Sequence, residues 1–278
     1  MIQLGEKQVL EVVRRKEFGV YVAEAGKNEE SILLPTKSVP AGCKVGDEIE
    51  VFVYRDSSDR LIATTAEPKI TLGQIASLEV KEVTKIGAFL DWGLEKDLLL
   101  PYKEQTCRVE AGRSYLVALY IDKSNRLCAT MKIYDYLSTE HDYKKDDTVK
   151  GILYQVNDEI GAFVAVDGRY HGMIPKKNYH GGHRVGSEVE ARVVNVRMDG
   201  KMELSLNQKA YLQMDVDADT IMKLLESYSG VLPFTEKATP QVIERETGMS
   251  KAAFKRAVGR LLKTGKIQIT NGVIRVAE

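Results

Sequence analysis

The chain has 278 residues, of which 44% are hydrophobic and 29% charged. This is an ordinary globular composition, and it excludes a disordered chain, a collagen and a coiled coil. Forty basic and forty acidic residues give a formal net charge of zero, which excludes a uniformly basic nucleic-acid coat and leaves only a local patch for such a ligand.

The first feature along the chain is a sequence repeat. Gly19, Gly87 and Gly161 each stand two residues before an aromatic residue and are spaced by 68 and 74 residues. Each copy continues with an apolar triplet ending in Pro35, Pro101 or Pro175, then a glycine and an alternating strand. A period of this length exceeds the roughly 20–50 residues of solenoid repeats and suits a small domain with its own core.

Each copy is predicted to form five short strands, because apolar and polar residues alternate and turn signals separate the runs. Closure into a Greek-key barrel would remove the unpaired edges of such a sheet. We therefore predict a mainly β chain with three tandem five-stranded OB-fold barrels at residues 1–66, 67–149 (with a linker) and 150–214.

Beyond residue 214 the periodicity becomes helical, and residues 215–278 are predicted to form an α+β winged helix-turn-helix. Asp219 is placed at the start of the first helix, Thr239 and Gly248 bound the second, and Ser250 caps the third. The third helix is expected to turn Phe254, Val258, Leu261 and Leu262 inward. An Asn271–Gly272 turn then predicts a closing hairpin.

The repeated motifs resemble the RNA-binding OB barrel named after the largest ribosomal small-subunit protein. Three such barrels followed by a winged helix resemble, over essentially the whole chain, the conserved virulence factor B proteins of Gram-positive bacteria. The resemblance implies an RNA-binding regulator, with bases stacked on aromatic side chains of the second and third strands.

Position by position, the resemblance implies binding residues in each barrel. They are Phe18, Tyr21 and Arg60 in the first copy, Phe89 and Arg126 in the second, and Phe163, Arg197 and Lys201 in the third. All three copies have proline where many members of the barrel family have histidine. Strict strand alternation would put Phe18 and Tyr21 on opposite faces, whereas a bulge at Gly19 would let them share one. Core packing of Phe89 and Phe163 is the alternative to base stacking.

Charge favours the third copy as the best nucleic-acid candidate among the barrels, since the three copies carry net charges of −2, −2 and +2. The third barrel and the winged helix are expected to form the main basic surface. Its loop interleaves aromatic, imidazole and basic groups, which are the groups that stack on bases and neutralise phosphates. The candidates there are Tyr170, His171, Lys176 and Lys177. His180 and His183 form a His-x-x-His pair, but a zinc site needs three or four ligands, so no metal or other cofactor is predicted.

The third helix of the C-terminal unit is one-sidedly basic, with no acidic residue between Ser250 and Gly265. Lys251, Lys255, Arg256 and Arg260 are its candidate nucleic-acid contacts. The alternative is a solvated outer face of a three-helix core.

No catalytic motif is present, so an enzyme is not predicted. Asp56 with Arg60, and Asp122 with Arg126, are interpreted as turn residues and weak surface pairs. No apolar run approaches the roughly 18 residues that span a bilayer, and neither a signal peptide nor a membrane partner is expected. The three isolated cysteines, predicted to be small buried hydrophobes, fit a reducing cytoplasm.

Three functions stay open at this point. The first is a cytoplasmic RNA-binding regulator that prefers single strands and acts after transcription, including on virulence genes. The second is a DNA-binding transcription factor that uses the winged helix. The third is a scaffold whose barrels bind proteins, which the acidity of the first two copies favours for those two alone. DNA and proteins of the ribosome or of RNA processing are further candidate partners.

Overall fold

The structure is a computed structural model that describes residues 1–27, 30–179, 182–206, 210–270 and 272–277, with the backbone only for 210–215. It divides into two compact units, Met1–Leu206 and Asn207–Glu278. The first unit holds the three repeats and the second holds the helices.

The first repeat is a closed five-stranded barrel with strand order β1-β2-β3-β5-β4. Its neighbours pair antiparallel except β3 and β5, which run parallel where Leu33 meets Ile62. The strands are β1 Lys7–Lys16, β2 Gly19–Ala23, β3 Ile32–Pro35, β4 Glu48–Arg55 and β5 Leu61–Thr64.

The second repeat forms a five-stranded sheet in the same topological order, β10-β9-β6-β7-β8, whose outer strands β8 and β10 lie alongside each other. The third repeat closes as β11-β12-β13-β15-β14. The strands of the second repeat are β6 Ile75–Val83, β7 Gly87–Asp91, β8 Leu98–Pro101, β9 Ser114–Ile121 and β10 Leu127–Thr130. The strands of the third repeat are β11 Thr148–Asn157, β12 Gly161–Val166, β13 Tyr170–Pro175, β14 Glu188–Val196 and β15 Met202–Ser205.

The repeated glycine is required by a close backbone approach at the start of the second strand of each barrel. Gly161 has φ +133°, and a Cβ at this position would lie 2.1 Å from the carbonyl oxygen of Ile174. A Cβ at Gly19 would lie 2.2 Å from the carbonyl oxygen of Leu34, and a Cβ at Gly87 would lie 2.3 Å from that of Leu100. A side chain would push the second strand off the third, so this landmark is fixed by barrel geometry.

Apolar clusters join consecutive barrels within the first unit. Phe52 and Tyr54 of the first barrel pack on Trp92 of the second, with ring centroids 5.7 and 6.4 Å apart. Another cluster joins Leu116 of the second barrel to Tyr154 of the third. All three cysteines are free. The prediction of a small buried hydrophobe is confirmed for Cys43 and Cys128, whereas Cys107 is only half-buried.

The second unit has the helix, helix, helix, hairpin order predicted for a winged helix. Its elements are α1 Ala210–Ser227, β16 Val231–Leu232, α2 Pro240–Thr247, α3 Lys251–Lys263, β17 Ile267–Thr270 and β18 Val273–Val276. The caps at Thr239, Gly248 and Ser250 are confirmed. None of the helices described is long and apolar enough to cross a membrane.

Two local predictions in this unit are wrong. Asp219 is not an N-cap, since α1 begins at Ala210 and places Asp219 in mid-helix. Leu262 is 40% exposed, because Phe254, Val258 and Leu261 already fill the inward stripe of α3. The Asn271 part of the predicted turn lies outside the described residues.

Candidate nucleic-acid interface

In the first barrel, Phe18 and Tyr21 share one face. Their ring centroids are 6.3 Å apart at an interplanar angle of 76°. β1 shifts register between Val12 and Arg14, which brings Arg14 opposite Tyr21 and puts its guanidinium 4.3 Å from the ring centroid. Of the two alternatives left by the sequence, the shared face is confirmed, because Phe18 lies in the turn between β1 and β2 and not in the strand that Gly19 begins.

Arg60 of the first barrel is paired within its own turn. Its Nε and one terminal nitrogen donate to Asp56 Oδ2 at 2.9 and 2.7 Å. Asp56 Oδ1 accepts from the backbone N–H groups of Ser58 and Arg60. The prediction of a turn residue with a surface ion pair is confirmed here.

In the second barrel, Phe89 and Arg126 line one cleft of about 240 Å³, whose other wall is formed by the first barrel through Tyr54 and Asp59. Arg126 forms its ion pair with Asp59 of the first barrel, so the expected side-chain pair with Asp122 is wrong. Asp122 keeps the turn role, accepting from the N–H groups of Ser124 and Arg126 at 2.8 and 3.0 Å. The register partner of Phe89 is Glu82, where the first barrel has Arg14 opposite Tyr21. At this register position the second barrel therefore has an acidic side chain where the first barrel has a basic one.

The third barrel brings most of its predicted residues together in a cleft of about 350 Å³. We call it the third-barrel cleft. Its lining combines aromatic rings with cationic side chains, and its principal side chains are Tyr134, Phe163, His171, Met173, Lys177, Arg197, Lys201 and Glu203. Phe163 is half-buried in the wall and contacts Tyr154 behind it, at 6.1 Å between ring centroids.

Two predicted residues of this barrel lie elsewhere. Tyr170 precedes His171 in β13 and packs against His141 and Tyr143, with centroids 5.5 and 6.2 Å apart. Consecutive strand residues point to opposite faces, so His171 reaches the cleft and Tyr170 does not. Lys176 is exposed in the turn after β13, beside Lys177 but outside the cleft lining. Of the His-x-x-His pair, His180 lies outside the described residues.

Tyr134 is a cleft residue that the sequence did not predict. It belongs to residues 132–147, which connect the second barrel to the third and which we call the linker strap. The strap is anchored by buried Ile133 and Leu137 in the apolar cluster between these barrels. It also hydrogen-bonds to the third barrel, where Ser138 N–H donates to Arg169 at 2.9 Å and the Ser138 carbonyl accepts from His171 N–H at 3.2 Å. The available signal was the short run of aromatic and aliphatic residues from Ile133 to Leu137, which includes Tyr134 and Tyr136, at the start of the linker.

Within the third-barrel cleft, three groups converge on one edge. The Tyr134 ring lies 4.6 Å from the His171 ring, and Lys201 Nζ lies 5.4 Å from the Tyr134 centroid. Burial, together with the positive charge of Lys201, lowers the pKa of His171. Hydrogen bonds with Tyr134 and Asp199 raise the pKa of Lys201, so its ammonium stays charged at neutral pH.

The other cations of the cleft are held loosely by carboxylates. Lys177 Nζ is 3.6 Å from Glu203, and Arg197 Nε is 3.4 Å from Asp199. Both cations are mostly exposed, and such pairs stabilise a fold by about 0–1 kcal/mol. A phosphate can therefore compete for them at low cost. The cleft thus offers flat rings for bases beside cations for the backbone.

In the second unit, α3 presents a cationic groove lined by Lys255, Arg256, Gly259, Arg260 and Lys263. Lys251 is not part of this groove. Its ammonium donates to the carbonyl of Ala238 at 2.9 Å, which ties α3 to the segment before α2.

Models of known protein families match this chain segment by segment, in the same order as the barrels and the winged helix. S1-domain models match residues 4–66 and 72–132, a model described as the second domain of virulence regulatory factor CvfB matches 135–208, and a CvfB-like winged helix domain matches 219–276. The protein YitL of Bacillus subtilis is 31% identical over 96% of this chain and 92% of its own. The chain belongs to the conserved virulence factor B family. The resemblance predicted from the sequence is thereby confirmed.

A second relative and a solved structure also match this chain over nearly its full length. Conserved virulence factor B of Staphylococcus epidermidis is 29% identical over 99% of this chain and 95% of its own. A crystal structure of a multidomain protein with nucleic acid binding domains from Streptococcus pneumoniae shares the fold, with a TM-score of 0.53, 24% identity and 98% coverage of both chains. The chain therefore contains two S1 domains, a domain type that binds nucleic acids, and a C-terminal winged helix domain.

Proposed function

We propose that this protein is a cytoplasmic, non-enzymatic regulator that binds single-stranded RNA mainly in the third-barrel cleft. The first-barrel face around Phe18 and Tyr21, and the cationic groove of α3, add further contacts. A role after transcription, including on virulence genes, is supported by the names of its relatives, conserved virulence factor B and virulence regulatory factor.

The observation that carries this proposal is the convergence of Tyr134, Phe163 and Lys201 on one open cleft. A base stacked on an aromatic side chain contributes about 1–3 kcal/mol, whatever its identity. Unpaired RNA can splay its bases into such a site, whereas a duplex keeps them stacked. In this proposal the neighbouring Lys177 and Arg197 neutralise the phosphates between those bases.

The test is a fluorescence anisotropy titration of the full chain with a labelled single-stranded RNA at several salt concentrations. Replacing Lys177, Arg197 and Lys201 with alanine should weaken binding and reduce the salt slope by about one for each phosphate that the variant no longer neutralises. Lys44→Ala, at an exposed lysine of the first barrel, is the control and should change neither quantity. Equal affinity and slope for the triple variant and the control would refute the proposal.

Duplex DNA is the second candidate ligand, favoured by the four cations that line the groove of α3. Competition separates the two candidates. If unlabelled duplex DNA displaces the RNA at a lower concentration than unlabelled single-stranded RNA of the same length does, the winged helix carries the main function and the barrels do not.

A further inference from the structure

One cavity lies outside the nucleic-acid interface. It is a groove of about 510 Å³ between the second and third barrels, which we call the inter-barrel groove. One wall is the outer face of β6 and β9, where Ser77 is the register partner of Leu116. The other wall is the outer face of β11 and β14, where Lys150 is opposite Glu190 and Ile152 is opposite Glu188.

The floor of the inter-barrel groove is apolar. Leu116 is buried in the cluster that joins the two barrels, and Ile75 and Ile152 are packed partly against the same cluster. The interface between the barrels therefore runs out to the surface as an open aliphatic strip. An aliphatic side chain placed there would be removed from water, with a stabilisation of about 25 cal/mol for each Å² that it buries.

The rim of the groove is acidic. Asp167, Glu188 and Glu190 are exposed around it, and Lys150 is the one cation among the described lining residues. The hydroxyl of Tyr143 donates a hydrogen bond to Asp167, which orients that carboxylate. A rim with three carboxylates repels a phosphate backbone and attracts a cationic partner.

From the apolar floor and the acidic rim together, we infer that the inter-barrel groove docks a basic segment of a partner protein. The segment inserts an aliphatic side chain onto Leu116 and Ile152 and places Lys or Arg side chains against Glu188 and Glu190. Charge complementarity selects this occupant over RNA, and the aliphatic floor selects it over a simple polycation. The inference does not depend on RNA binding elsewhere in the chain.

The experiment measures anisotropy of a fluorescein-labelled peptide of alternating lysine and leucine against the full chain. Glu188→Gln with Glu190→Gln should weaken binding about fivefold, a size set by two exposed charge pairs. Lys150→Glu should tighten it, because it removes the one cation of the described lining. Ser77→Trp places an indole in the groove at an exposed position and should abolish binding while leaving the thermal unfolding curve in place.

The matched control is Glu48→Gln with Glu50→Gln. These exposed glutamates take the first and third positions of β4 in the first barrel, as Glu188 and Glu190 do of β14 in the third. The two control substitutions remove the same charge at a place without the groove. The peptide affinity of this control variant should therefore stay within about twofold of that of the parent chain. An alternating lysine and serine peptide should bind at least about fivefold more weakly, since it lacks the aliphatic insert.

Three results would overturn the inference. They are equal weakening in the two glutamine pairs, full binding by a folded Ser77→Trp chain, and displacement of the lysine–leucine peptide by spermidine at equal concentration of charge. The first two would show attraction to the surface at large, and the third would show a site for small polyamines.

Discussion

Lys201 of the third barrel lies 5.4 Å above the ring of Tyr134, a residue contributed by the linker strap from outside the five strands. A cation beside an aromatic ring that is 42% exposed suits a nucleotide, whose phosphate would meet the ammonium while its base meets the ring. The third barrel alone would supply Phe163 as the aromatic wall of the cleft. The linker strap adds a second ring, that of Tyr134.

Tyr134→Leu should weaken single-stranded RNA binding by about tenfold, the lower part of the range for one stacked base. Tyr134→Phe keeps the ring and should retain binding within about threefold. Isothermal titration with a short RNA measures both. Equal weakening in the two variants would assign the effect to the hydroxyl and its hydrogen bond with Lys201, and would contradict a stacking role.

Stability of the first unit should fall in acid because of His171, which is only 8% exposed. Burial, with Lys201 nearby, lowers its pKa below the ordinary 6.5. The unfolded chain therefore binds a proton on this ring at higher pH than the folded chain does. The free energy of unfolding should decrease as the pH falls from 6.5 toward the lowered value and then level off.

Urea unfolding at a series of pH values checks this dependence on His171. His171→Gln should remove the contribution of this ring to the slope of the unfolding free energy against pH. Lys201→Met should reduce that contribution, because it removes one of the two causes that lower the pKa of His171. An NMR titration that finds the His171 ring protonating above pH 6.5 would contradict the assignment.

The first and second barrels should be held together by rings rather than by charges. Trp92→Ala empties a site packed against Phe52 and Tyr54, and it should lower the free energy of unfolding by about 3–5 kcal/mol. Asp59→Asn breaks the exposed ion pair with Arg126 and should cost less than about 1 kcal/mol. Denaturant unfolding measures both, and a larger decrease for Asp59→Asn than for Trp92→Ala would reverse the ranking.

Lys251 and Lys255 make a matched pair on α3. Lys255→Ala should reduce the salt slope of nucleic-acid binding by about one, because this side chain lines the cationic groove. Lys251→Ala removes the hydrogen bond to Ala238 and should lower the melting temperature of the C-terminal unit instead. Parallel titrations and melting curves distinguish them, and identical behaviour of the two variants would count against the groove.

The sequence predicted the architecture well because the features that define it are local. The repeated glycine is required by contact with the next strand in the same barrel, so its spacing marks each copy. The caps Thr239, Gly248 and Ser250 act within a few residues, and each is where the sequence placed it. The start of α1 was not predicted because Asp219 satisfies the local cap pattern, yet the helix begins earlier in the chain.

The site was less predictable because its contacts are tertiary. Arg197 and Lys201 were found by their position in the repeat, and the structure brings them together with Phe163. Tyr134 has no counterpart in a barrel strand, and it reaches the cleft only through the anchoring of the strap. Arg126 follows Asp122 by four residues, which predicts an ion pair within the turn. Its side chain instead forms an ion pair with Asp59 of the first barrel.

The most direct measurement is photocrosslinking of a single-stranded RNA carrying 4-thiouridine to the full chain, with the linked peptides identified by mass spectrometry. We predict crosslinks to the peptides that contain Tyr134, Phe163 and Lys201, abolished when unlabelled RNA is added in excess. Crosslinks confined to α3 or to the first-barrel face, with the third-barrel cleft unlabelled, would contradict this account.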